Sequence, residues 1–227
     1  MKSFTRYRST DDLPTDLPIF PLQGAILLPR ATLPLNIFEP RYLTMVDYAI
    51  TGHRLIGMVQ PKSSDDSDEE SPIDTRAPLK DVGSVGRITA FQEQDDGRMV
   101  ISLTGVSRFR TVEEHVTDQL FRLFSVTYEE FANDLQSGVG ENEVDREKLL
   151  EVLRGYLSAR NLQADWQAID NAPTELLVNS LSTISPFGPE EKQALLEAKD
   201  LKSRAEALAT LALMEMAADD RSGGSVQ

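Results

Sequence analysis

Two histidines, His53 and His115, are the only imidazoles in this chain, and it has no cysteine. Without thiols there is no thiolate nucleophile, no disulfide and no cysteine-ligated metal, a usage that fits a reducing compartment. Neither histidine has a second ligand at metal spacing, so a zinc site would need carboxylates for most of its donors. His53 follows Gly52 at an expected helix end, and His115 follows Glu113 and Glu114; both read as solvent-facing side chains. A serine nucleophile needs a base and a sharp turn to present it, and no Gly-x-Ser-x-Gly occurs. There is also no Gly-Lys-Ser/Thr phosphate loop, which leaves ATP hydrolysis without its cradle of backbone N–H groups. Gly83-Ser-Val-Gly86 stands at a strand start rather than before a helix, so it reads as a turn or a close backbone approach. The carboxylate pairs Asp95-Asp96 and Asp219-Asp220 fall at a turn and near the terminus, where solvation accounts for them. No catalytic, cofactor or metal-ligating residue is expected.

Charges set among apolar residues are the more informative feature. Glu39 and Arg41 flank Pro40, and Arg108 and Arg110 flank Phe109 on one strand face. Such placement fits a half-buried ion pair as well as it fits a ligand site. Phe20, Leu22, Leu28, Phe38 and Tyr42 are core residues first and groove residues second. If the protein binds a peptide, these five and the two arginines Arg108 and Arg110 are the candidate contacts.

The elements that must position them follow from punctuation and period. Between Leu17 and Pro61, prolines at 18, 21, 29, 34 and 40 divide apolar runs into short strands, Ile19 to Leu22, Ala25 to Leu28 and Thr32 to Phe38. Pro40 opens a helix with Tyr42, Met45, Val46 and Ala49 on one face, Gly52 stops it, and Leu55 to Val59 reads as a buried strand. From Ser84 the residues alternate into the turn Asp95-Asp96-Gly97 and back through Met99, Ile101 and Leu103, which predicts a hairpin with a bulge or bend at Gly105. Strands Val106 to Glu113 and Leu120 to Tyr128 follow.

After a boundary near Asn133 to Glu141 the period becomes helical. The expected helices span Val144 to Arg160 and Trp166 to Asp170. The next, opened by Pro173, carries Leu176, Leu177, Ser180, Leu181 and Ile184; another is opened by Pro189; the last runs Asp200 to Ala218 with Leu201, Ala205, Leu208, Leu211 and Ala212 inward. Residues 1–16 read as a flexible lead-in and 219–227 as a fraying tail. The fold class is therefore α+β, a β-rich unit over 17–133 and a helical bundle over 141–218. Lys62 to Lys80, crowded with serine, aspartate and glutamate, reads as a mobile acidic loop, a docking or phosphorylation segment being the alternative.

The formal charge is −14, from 23 basic and 37 acidic residues, and the acidity falls mostly after residue 60. Phosphate recognition would need Arg87, Arg98, Arg108 and Arg110 to gather on one face, so RNA binding is the secondary reading and nucleic acid an unfavoured partner. No apolar run approaches a membrane span and the N-terminus has no apolar signal core, which points to a cytoplasmic protein without a membrane partner.

Four separated blocks carry a resemblance: LPIFPLQGAILLPRATLPLNIFEPRY from Leu17, DVGSVGRI from Asp81, DDGRMVISLTGVSRFR from Asp95 and EKQALLEAKDLKSRAEAL from Glu191. Together they resemble the N-terminal substrate-binding domain of the Lon ATP-dependent proteases, and more closely the short bacterial proteins that consist of that domain alone. The resemblance implies a PUA-like pseudo-barrel followed by a helical bundle, and recognition of unfolded or apolar polypeptide segments, in company with a protease or chaperone. In full-length Lon proteases an ATPase and a serine–lysine peptidase module follow; here the chain ends at Gln227, so the resemblance implies recognition without either activity. It implies no cofactor, and no motif encodes the partner's identity or the oligomeric state.

Overall fold

The computed structural model describes residues 7–62, 77–160 and 163–223. Six strands, β1 (Asp16–Pro21), β2 (Thr32–Ile37), β3 (Leu55–Val59), β4 (Val82–Glu93), β5 (Met99–Glu114) and β6 (Arg122–Thr127), form one sheet in the order β2-β5-β4-β3-β1-β6. Because β6 also pairs with β5, the ring β5-β4-β3-β1-β6 closes on itself, which removes the exposed edges an open sheet would carry. The 16-residue β5 makes closure possible: its first half pairs with β2 and its last residues with β6, while β4 runs along most of it. Among the described residues, only β2, the strand containing Pro34, has a neighbour on one side alone. The β1 and β3 strands are parallel, joined by a crossover through β2 and the helix α1 (Pro40–Thr51).

The helix α1 forms where the sequence places it. Pro40 sits in its first turn, Tyr42, Met45, Val46 and Ala49 are its buried face, and the Gly52 N–H donates to the Tyr48 and Ala49 carbonyls at its end. Five further helices follow: α2 (Arg146–Ala159), α3 (Trp166–Asn171), α4 (Thr174–Ile184), α5 (Pro189–Glu197) and α6 (Leu201–Gly223). Asp145 and Asp165 accept from the Lys148 and Ala168 N–H groups to cap α2 and α3.

Three apolar cores result. One lies inside the ring, where Leu17, Ile19, Leu55, Val85 and Phe109 meet. A second joins the sheet to α1 through Ile56, Met58, Ile101 and Leu103. The third unites Ile26, Leu28 and Val82 with the helices through Leu149, Val178, Leu195 and Leu208. Polar bonds stitch the same interface: Gln193 donates to the Val82 carbonyl at 3.1 Å, and Gln60 donates to the Gln193 side chain at 3.1 Å and the Pro189 carbonyl at 2.9 Å.

The α+β class and the pseudo-barrel with following helices are as expected; several local readings are not. Ala25 to Leu28 is not a strand but an irregular segment wedged between two cores, Leu27 entering one and Ile26 and Leu28 the other. The bulge expected at Gly105 is present, Gly86 pairing with Gly105 while Val85 pairs with Ser107, but it lies within one strand, so Val106 to Glu113 is not a strand of its own. The buried face of α4 carries Glu175, Leu177, Val178, Asn179, Ser182 and Thr183, and Leu176 and Ile184 are exposed. Within residues 7–16, most of which are exposed, Leu13 is buried and the Tyr128 hydroxyl donates to the Pro14 carbonyl at 2.9 Å. The last helix continues past Asp219 to Gly223. The acidic-loop reading falls on residues 63–76, outside the described residues; at its flanks the Lys62 N–H donates to the Pro78 carbonyl at 2.7 Å.

Candidate functional site

Alternation along β2 turns Leu33, Leu35 and Ile37 inward, and the next residue, Phe38, faces the other way. Glu39 then adopts extended backbone, φ −76° and ψ 132°, because Pro40 excludes a helical conformation before it. This strand-to-helix corner leaves Phe38 64% exposed. Beneath it lies a shallow cavity of about 160 Å³, walled by Phe20, Leu22, Leu35, Ile37, Phe38 and Tyr42. The Phe20 and Tyr42 rings meet edge-on, centroids 4.4 Å apart, and form a rigid floor. At the rim, Arg41 pairs with Glu39 at 2.6 Å and stacks over Tyr42 at 4.7 Å. The arrangement has an apolar floor, one exposed aromatic and a charged rim, with room for an apolar side chain.

Four of the seven candidate contacts, Phe20, Leu22, Phe38 and Tyr42, are thus brought together, and three are not. Leu28 is wholly buried against the helices. Arg108 is 5% exposed and its guanidinium is consumed internally. Its Nε donates to Asp134 Oδ2 and its Nη2 to Oδ1, both at 2.9 Å, and its Nη1 donates to the Leu196 and Ala198 carbonyls at the end of α5. Arg110, two residues along on the same face of β5 but only half-buried, pairs with Glu130 at 2.7 Å. Arg108 and Arg110 do not share a contact surface because the helices cover only one of them. Leu35 and Ile37 were legible as cavity wall from the β2 alternation, had the strand been read as facing Phe20.

The arginines that RNA binding would need do not gather as free charge. Arg98 pairs with Asp96 at the hairpin tip, Arg108 with Asp134 and Arg110 with Glu130, and of the four Arg87 alone has no carboxylate partner among the described residues.

His115 is not simply solvated: its Nε2 lies 3.0 Å from Asp16 Oδ1 and 2.9 Å from Ser125 Oγ. The residue types are those of a hydrolase triad, but the geometry is not. A triad uses one ring nitrogen toward the serine and the other toward the acid, whereas here both partners meet the same nitrogen and Ser125 Oγ also lies 2.8 Å from Asp16 Oδ1. The Asp16 carboxyl is held below its usual range, by its hydrogen bonds from Ser125 first and His115 second. This cluster clasps β1 to β6.

The buried Lys192 has a structural task too. Its Nζ donates to the Ser182 carbonyl at 2.9 Å and the Thr183 carbonyl at 2.5 Å, at the C-terminal end of α4, where a cation complements the helix dipole. Burial pushes the ammonium down to about 8 from 10.5. Between those values the unfolded chain binds more protons than the folded one, so this group's contribution to stability rises with pH, by up to about 1.4 kcal/mol per unit. Urea unfolding at pH 7, 8.5 and 10 should show that rise in the wild type relative to Lys192→Met; parallel curves for the two proteins would rule it out.

Residues 16–212 match the family model of the ATP-dependent protease La (LON) substrate-binding domain. The chain is 29% identical over 202 residues to a Lon protease of Desulfosudis oleivorans, covering 86% of this chain and 23% of that protein. It is 25% identical over 215 residues to a Lon protease of Flavobacterium johnsoniae, covering 92% and 25%. It thus spans about a quarter of the length of these relatives. Among solved structures, the N-terminal domain of a Mycobacterium avium complex Lon protease superposes with TM-score 0.61 at 15% identity, covering 87% of this chain and 98% of that one. A Lon N-terminal domain protein from Xanthomonas campestris gives 0.53 at 23% identity with the same coverage.

Proposed function

The chain belongs to the ATP-dependent protease La (LON) substrate-binding domain family, and from that premise we propose that it is a non-catalytic polypeptide-binding module, an adaptor or regulator in protein quality control. The observation that carries this reading is the exposed Phe38 over the cavity of Phe20, Leu22, Leu35 and Tyr42, an apolar seat with a charged rim. Its occupant is an apolar side chain of an unfolded segment. Next to the seat, β2 has an edge that no strand among the described residues pairs with, on which such a segment can add backbone hydrogen bonds, so that pairing supplies affinity and the cavity selects the side chain. The partner to which bound segments pass is a protease or chaperone of the cytoplasm. Among the described residues no helix is long and apolar enough to cross a membrane.

Titration with a fluorescent unfolded peptide rich in leucine and phenylalanine tests the proposal. Binding in the micromolar range is expected, and Phe38→Ser should weaken it about tenfold, the scale of losing one aromatic anchor. Because Phe38 is mostly solvated, the variant's unfolding midpoint should stay within about 0.5 kcal/mol of wild type. No binding at high micromolar peptide, with a native circular dichroism spectrum, would sink the reading.

A further inference from the structure

Among the described residues, two that are not glycine have positive φ, Arg30 at 66° and Arg54 at 61°. The left-handed conformation costs an ordinary side chain on the order of 1 kcal/mol, and glycine adopts it freely. Both arginines line the same cavity, about 520 Å³ in volume, which shares no lining residue with the one beneath Phe38. It is formed by the start of β3, the bulged stretch of β4 and β5, and the chain around Leu135. Ile88, Val106 and Leu135 supply apolar wall, Arg87 a third guanidinium, and none of the lining residues is acidic.

The charge at this place runs against the rest of the molecule. In a chain with 37 acidic and 23 basic residues, Arg41, Arg98, Arg108, Arg110, Arg122 and Arg160 each pair with a carboxylate. Arg30 is accounted for: its guanidinium pairs with Glu175 and donates to the Asp134 carbonyl at 3.0 Å, tying the barrel to the helices. Arg54 has no ion pair or side-chain hydrogen bond among the described residues, and Arg87 has only the Tyr7 hydroxyl, to which its Nη1 donates at 3.1 Å. The two are held side by side, since Leu55 pairs with Arg87 across β3 and β4 and the Ile88 N–H donates to the Arg54 carbonyl at 2.9 Å.

We propose that this cavity is a second polypeptide subsite, one that receives a carboxylate on Arg54 and Arg87 with an apolar side chain beside it on Ile88, Val106 and Leu135. It rests on the polypeptide-binding reading above and extends it from apolar to mixed sequences. A guanidinium presents parallel N–H donors that match a carboxylate, and two of them at the mouth of an apolar cavity bind it more strongly than in open water. The cavity volume lies in the range that holds one or two side chains. The strain at Arg54 follows from the same role, because glycine there would relieve the backbone and remove the charge.

Fluorescence anisotropy with three labelled peptides tests this: a leucine-ended peptide with a free terminal carboxylate, the same peptide amidated, and the amide with one internal glutamate. One of the two carboxylate peptides should bind about ten- to hundredfold more tightly than the plain amide, and which one does so tells a chain terminus from an acidic side chain. The preference should shrink with added salt. Arg87→Gln and Arg54→Gln should remove it, Arg87→Lys should keep part of it, and Phe38→Ser should leave the ratio intact while weakening all three. Arg54→Gly should lose the preference with the unfolding midpoint unchanged or raised. Equal binding of acid and amide, or a preference that survives both glutamine variants, overturns the subsite and leaves the Phe38 seat standing. Failure of all three peptides overturns both.

Discussion

Gly105→Ala is expected to destabilise the protein by at least about 3 kcal/mol, because the added methyl has no room that side-chain motion can open. A Cβ at this position would stand 2.0 Å from the Leu28 carbonyl oxygen and 2.7 Å from its carbon. Those atoms belong to a backbone fastened on both sides of the contact, since the Arg30 N–H donates to the Gly105 carbonyl at 2.8 Å and the Gly105 N–H to the Ala31 carbonyl at 2.9 Å. Moving the segment to admit the methyl would break these bonds and draw Leu27 and Leu28 from two cores at once. Gly97→Ala is the control. Gly97 has φ 81° but nothing within 4 Å of a built Cβ, so alanine there meets strain alone, about 1 kcal/mol. Urea unfolding of the two variants should separate them by 2 kcal/mol or more in order of magnitude; equal effects would refute the close-approach account.

Asp134→Ala is expected to cost about 3–5 kcal/mol, the scale of stripping the partner from a buried charge. Asp134 accepts three hydrogen bonds from one residue, the Arg108 backbone N–H, Nε and Nη2, each at 2.9 Å. Without it the guanidinium keeps the carbonyls of Leu196 and Ala198 and the face of Phe131 at 4.6 Å, none of which carries negative charge. Arg204, also buried, would add to the loss. Its guanidinium is pushed below its ordinary value by burial first and by Arg108 second, an opposition that Asp134 partly offsets. Arg108→Met with Asp134→Leu should recover much of the loss, because the buried charges then leave together. If Asp134→Ala unfolds at the wild-type urea midpoint, the pair is not holding barrel to helices. The same variant separates two roles for Arg108: a stability loss without a change in peptide affinity at concentrations where the protein is folded identifies it as internal.

Local grammar made much of the fold legible. Pro40, the spacing of Tyr42, Met45, Val46 and Ala49, and Gly52 specify α1 through interactions spanning no more than four residues. Asp95-Asp96-Gly97 specifies its hairpin through one residue able to take φ 81°. Ala25 to Leu28 defeated the same reasoning. Four consecutive apolar residues look alike whether a sheet or two cores surround them, and here Ile26 and Leu28 face helices more than a hundred residues away. On α4 the error came from the opposite source. Asn179 and Glu175 are buried because distant groups satisfy them: Asn179 donates to the Pro29 carbonyl at 3.0 Å and accepts from Arg204 Nη1 at 2.9 Å, and Glu175 binds Arg30. A polar residue counts as surface in a sequence pattern until its partner is known.

The candidate site divides along the same line. Phe20, Phe38 and Tyr42 lie within 23 positions of one another, inside one strand–strand–helix passage, and Pro40, the first residue of α1, holds Glu39 extended by purely local sterics. By itself, then, the sequence determined the α+β class, the family blocks, the start of α1 at Pro40 and the lack of any nucleophile elbow or phosphate loop; that Phe38, read as core first, is exposed came from the structure. Tertiary structure decided the rest. It showed that Leu28 and Arg108 are sealed beneath the helices, that Asp16, His115 and Ser125 form a clasp rather than a triad, and that Arg54 and Arg87 share an acid-free cavity. Each of these depends on which remote groups arrive at the same point, and burial and charge pairing are set there, by distances through space that the order of residues does not contain.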